Sequence, residues 1–209
     1  MSLFGLFPDQ ISAQARAAGA NLRIPSLTQS LLIGSSGFTL ASLVVFATVA
    51  FGERWMYRNL TVYGAYLAWT ALFILLGGTA LRPLLIAGST ARFYLLFGIA
   101  FFLYAVGWVG AYFPLGNGLG EWVASFAGSA LMAIAFAWAF GAWRSLLKLI
   151  IVIFIANSVG YFLGSLVNSA LRGRVGMVMW GLLYGLGLGA GLGYAIYEAQ
   201  SEARARLRA

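Results

Sequence analysis

Few residues in this chain could do chemistry, and their spacing narrows what they could do. In the stretch IANSVGYFLGSLVNSAL, Asn157, Tyr161, Gly164 and Asn168 recur at intervals of four, three and four. At about 100° per residue they fall within roughly 60° of one another on a single helix face. A carboxamide inside an apolar helix either bonds a neighbouring helix or lines a cavity for a neutral ligand. Catalysis lacks its usual parts. The chain has no histidine and no cysteine, and Asp9 is its only aspartate, so there is no Ser-His or Cys-His pair and no thiolate or imidazole to hold zinc, haem or another metal. The glutamates Glu53, Glu121, Glu198 and Glu202, like the arginines and Lys148, lie near the ends of apolar runs, which disfavours proton relays through buried carboxylates. The reading is a protein that is not an enzyme, with no metal and no fixed cofactor. A lipid, quinone or pigment held by apolar contacts is left open, because Tyr66, Trp69, Trp108 and Trp138 sit within the apolar runs.

The elements that must position these residues follow from composition. Hydrophobic residues make up 62% of the 209 and charged residues 9%, against about 25% charged in soluble domains. Six apolar runs stand out, at Leu31 to Phe51, Leu60 to Leu81, Phe93 to Phe113, Trp122 to Trp143, Leu149 to Leu171 and Val175 to Tyr197. Each is long enough, at about 1.5 Å per residue, to cross a hydrocarbon core of about 30 Å. The expected fold is all-α: a polytopic integral membrane protein, a bundle of six transmembrane helices over residues 31–197, with an N-terminal segment 1–30 and a basic helical tail 198–209. Short connections make consecutive helices antiparallel neighbours.

The last run is the richest in glycine. Gly181, Gly185, Gly189 and Gly193 are spaced by four and form one strip; Gly187 and Gly191 form a second. A nucleotide-binding loop would need the G-x-G-x-x-G spacing after a strand, and neither is present. In lipid, small residues let helix backbones approach closely, so the pattern predicts a glycine zipper. The expected partner of the first strip is the fifth helix through Gly160 and Gly164. The second strip is expected to meet another neighbour, in the same chain or in another subunit.

Pro8 and Pro25 bracket a polar stretch, and the leading Leu3, Phe4, Leu6 and Phe7 are expected to form an interfacial anchor. Lys and Arg number nine on one side of the six runs and four on the other. Basic loops stay inside, so both termini are expected in the cytoplasm, across a bacterial inner membrane. The net charge of +8 is spread among loops and never forms the stripe that nucleic acid requires. Membrane lipids, other membrane subunits or a second copy of the chain are the expected partners. The functional expectation is a non-catalytic membrane subunit or scaffold, with an uncoupled channel, carrier or lipid-binding protein for a neutral or apolar ligand as the alternative.

Overall fold

A computed structural model describes residues 3–19 and 23–208, and among these the regular structure is entirely helical. The elements are α1 (Pro8–Ala17), α2 (Leu27–Leu81), α3 (Thr90–Leu115), α4 (Gly118–Phe140), α5 (Leu146–Leu171), α6 (Gly173–Ala199) and α7 (Ser201–Arg208), with 3-10 turns at Arg82–Leu84 and Trp143–Ser145. Five of the helices, α2 to α6, are long and apolar enough to cross a membrane.

Local chemistry explains most boundaries. Ser26 begins α2 as a capping box with Gln29, each side chain bonding the other's backbone N–H, which satisfies two donors that a helix start leaves open. Asn117 caps α4 by accepting from Gly120 N–H at 3.1 Å. Gly116 and Gly141, both left-handed, terminate α3 and α4, a conformation glycine adopts without a Cβ clash.

The 55 residues of α2 contain one break, at Thr61, where φ is 62° and ψ is 174°. The two halves lie against each other: Phe38 stacks on Phe73 with ring centroids 5.8 Å apart, and Gly37 faces Ala80. Residues 52–59, expected as a loop, are helical instead. Arg172 repeats the same dihedrals, φ 54° and ψ 169°, between α5 and α6. Non-glycine residues rarely visit this region.

Helix α6 is the hub. Its strip Gly181, Gly185, Gly189 and Gly193 lies on the first half of α2, where added Cβ atoms would meet Phe46, Thr39, Gly34 and Ser30. Ser42 Oγ donates to the Gly181 carbonyl at 2.7 Å across this crossing. The strip Gly187 and Gly191 lies on α5 instead, against Ala156, Gly160 and Ile153. The expectation that the first strip meets Gly160 and Gly164 is therefore corrected. The α5 partner is the second strip, and Gly164 sits under the Trp180 ring. The physical reason is that the two strips point to different sides of one helix, so α6 fills the gap between two neighbours and not the seam of one pair. Helices α3 and α4 cross at Gly107 and Gly128, where a Cβ on Gly107 would come 3.0 Å from Ala127 and Gly128.

The end that carries the termini is closed by protein. Phe4 and Leu6 are each 1% exposed, Phe4 packing edge-on against Trp138 at 5.4 Å and Leu6 lying beside Gly88. The interfacial anchor is thus corrected for these two side chains, which find a protein core within reach and bury there; Leu3 and Phe7 remain exposed. The tail does not simply continue α6. The buried Gln200 side chain donates to the carbonyls of Leu84 and Ile196 and accepts from Ile86 N–H, and the helix breaks there. Beyond it α7 lies along α1, with Arg16 donating to the Arg206 carbonyl at 3.1 Å and Glu202 pairing with Arg206. Arg204 stacks on Tyr197 and donates to its carbonyl; burial pushes its guanidinium below the usual arginine range.

Candidate functional site: an aromatic cleft beside a buried hydrogen-bond chain

Mid-bundle, five side chains from four helices form one hydrogen-bonded chain. Tyr184 of α6 donates to the Tyr104 hydroxyl at 3.1 Å, and Tyr104 of α3 donates to Asn157 Oδ1 at 2.9 Å. Asn157 Nδ2 donates to Ser125 Oγ of α4 at 2.8 Å, and Ser125 shares a hydrogen bond of 2.8 Å with Ser158. Asn157 is fully buried. In an apolar interior such a chain satisfies groups that would otherwise each cost about 1 to 3 kcal/mol, and it fixes how four helices meet.

Tyr104 and Tyr184 also form part of the wall of a cleft of about 320 Å³ between the two halves of α2, α3, α5 and α6. Its other walls are mainly rings, including Tyr66, Trp69, Phe73, Trp108, Tyr161 and Trp180. Trp69 meets Tyr57 and Tyr66 edge-on, and Tyr161 stands between Trp108 at 4.9 Å and Trp180 at 5.4 Å. The Tyr161 hydroxyl donates outward, to Glu121 at 3.3 Å. Among the described residues, no charged side chain lines the cleft. Tyr66 and Val109 at its rim are more than half exposed, so it opens sideways, across the helix axes.

Among the described residues, the indole N–H groups of Trp69, Trp108 and Trp180 find no partner within hydrogen-bond geometry. Trp108 interacts with the neighbouring Tyr104 hydroxyl electrostatically, short of hydrogen-bond geometry. Buried donors without acceptors are uncommon in folded proteins, and here two, on Trp69 and Trp180, belong to residues that line one cavity.

The four residues of the expected stripe have different surroundings. Asn157 joins the buried chain, Tyr161 lines the cleft and Gly164 makes room for Trp180. Asn168 lies at the far end of α5, beside a second cavity of about 450 Å³ that also touches Glu53, Arg54 and Arg174. Of the ring residues singled out in the sequence, Tyr66, Trp69 and Trp108 reach the cleft, whereas Trp138 packs on Phe4. Tyr104, Ser125, Trp180 and Tyr184 were not expected. Their signal was weak: small polar or aromatic residues at helix midpoints, with nothing in the one-dimensional order to bring them together.

Fold and site together define an all-helical protein with long apolar helices, a mid-bundle polar chain and a side-opening aromatic cleft. No family model, curated protein or solved structure matches the chain.

Proposed function

We propose that this is a non-catalytic integral membrane protein, a bundle of six spanning helices, that holds an apolar ligand from the bilayer in the aromatic cleft. Counting six takes α2 as two spans joined at Thr61. The supports are that the two halves pack face to face and that the same dihedrals at Arg172 join α5 to α6. The bundle reads as a glycine zipper built within one chain, since each strip of α6 is covered by a helix of the same molecule.

The observation that carries the functional reading is the cleft itself: a side-opening, ring-walled space without charge, of a size at the lower end of the roughly 300 to 1,000 Å³ typical of small-molecule sites. Its mouth faces the direction from which a membrane-dissolved ligand arrives. For the scaffold alternative, one support is weaker, because both small-residue strips of α6 are covered by helices of the same chain.

The test is native mass spectrometry of the protein taken from membranes in mild detergent, with extraction and analysis of what it carries. A retained lipophile at about one per chain, lost when Ala105→Phe fills the cleft while the fold persists, supports the reading. A stoichiometric protein partner with no lipophile in either form points back to the scaffold.

A further inference from the structure

The second cavity, of about 450 Å³ at the end of the bundle away from the termini, differs from the cleft in being lined by charge. Arg54 of α2 and Arg174 of α6 both line it, and among the described residues neither guanidinium has a carboxylate within salt-bridge distance. The Arg174 guanidinium rests instead on the Phe51 ring, 5.2 Å from its centroid. One acid, Glu53, shares the wall without pairing with either arginine. It neighbours Arg54 in sequence, so the two side chains leave α2 about 100° apart, and its carboxylate interacts with the Tyr57 hydroxyl one turn on. Asn168 adds an amide whose Oδ1 lies against Gly176, which leaves Nδ2 as a further donor.

Two like charges brought to one space repel each other, and an anion with oxygens for both reverses the sign of that term. A carboxylate offers two oxygens in one plane, whereas a phosphate presents its oxygens in several directions and suits guanidinium forks arriving from separate helices. We propose that this cavity binds a phosphate group, the anion that a lipid headgroup and free phosphate share, with Arg54 and Arg174 donating to its oxygens and the Asn168 amide donating a further bond. The remaining wall favours the lipid as its source: Val49, Ala50 and Met177 are apolar and suit the carbons that follow a headgroup phosphate, and basic pockets between spanning helices are a known setting for lipid headgroups.

The experiment uses the full-length protein in detergent, titrated with dioctanoylphosphatidylglycerol and with dioctanoylglycerol, which keeps the chains and lacks the phosphate, both read by native mass spectrometry. The phospholipid should bind at least about tenfold more tightly than the glycerol lipid. Arg54 and Arg174 are exposed, so the fold should survive their replacement. Arg54→Gln and Arg174→Gln should each weaken the phospholipid by about tenfold and leave the glycerol lipid unchanged. Arg58→Gln, at the same end but outside the cavity, should change neither. Inorganic phosphate separates the two sources: if it displaces the phospholipid where acetate at equal ionic strength does not, free phosphate fits the site, and if it fails to, the site requires the lipid form. The inference is overturned if the two lipids bind alike, if neither cavity variant weakens the phospholipid, or if Arg58→Gln weakens it as much as they do, since binding would then follow general charge at this end.

Discussion

Gly189→Ala adds one carbon at a tight point between α6 and α2. Its Cβ would stand 2.5 Å from the Gly34 carbonyl oxygen, where ordinary contact begins near 3.4 Å, so the helices must part by about 0.9 Å. A gap of that size forfeits roughly a quarter to a half of each dispersion contact along the crossing, and overpacking of this kind costs about 1 to 3 kcal/mol. Against this, alanine gains about 0.5 to 1 kcal/mol over glycine inside a helix. The net expectation is a loss of about 1 to 2 kcal/mol. Gly187→Ala, whose Cβ would lie 2.5 Å from the Ala156 carbonyl oxygen, should behave alike toward α5. Gly110 is the control, also helical and with nothing within 4 Å of an added Cβ, so Gly110→Ala should be neutral or stabilising by up to about 1 kcal/mol. Unfolding in detergent, followed by tryptophan fluorescence together with mass from light scattering, reads all three. The reasoning is refuted if Gly189→Ala matches Gly110→Ala in stability, or if Gly187→Ala changes the oligomeric mass and leaves the protomer's stability untouched.

Asn157→Leu removes two hydrogen bonds from the mid-bundle chain and should cost about 1 kcal/mol; unchanged unfolding would mean the amide is idle. Thr61→Gly and Arg172→Gly place glycine where φ is positive. Each should relieve about 1 to 3 kcal/mol of backbone strain, less the roughly 0.5 to 1 kcal/mol by which glycine favours the unfolded chain, and a lower melting temperature for both would contradict the geometry. Phe4→Ala should cost about 3 to 5 kcal/mol, as truncation of a buried phenylalanine does, whereas a side chain dipping into lipid would leave unfolding in detergent unchanged.

The helical class and the approximate places of the apolar helices were legible, because length and apolarity are properties of contiguous residues. Partner choice was not. Spacing by four in α6 announces close crossings, but which neighbour takes which strip depends on how three helices are arranged in space. The α2 side had a readable clue in Ser30 and Gly34, small residues four apart that meet Gly193 and Gly189. The reversal at Thr61 had none, since a threonine with positive φ carries no mark in NLTVYG; the charges of GERWMYRN hinted at an interruption but placed it several residues early. The polar chain was half visible. Asn157 stands out in an apolar run, while Tyr104 and Tyr184 look like any other aromatic residue until α3 and α6 bring their hydroxyls together.

The connections of the bundle differ between its two ends. Away from the termini, the turns are Thr61, the pair Gly116 and Asn117, and Arg172; toward the termini, the chain runs through the 3-10 turns at Arg82–Leu84 and Trp143–Ser145 and the segments beside them. A helix pair joined by one residue behaves as a hinge with its pin at that point, free to spread only at the far end. Several cleft residues lie nearer the pinned end: Val49 is twelve residues before Thr61, Tyr161 eleven before Arg172, and Trp180 eight after it. These walls therefore have little freedom to change their spacing, and the buried Gln200 bonds tie the other end as well. Under the function proposed above, occupancy would follow the ligand's partition between bilayer and cleft, set by fit, and exchange should be as fast at low temperature as lipid diffusion permits.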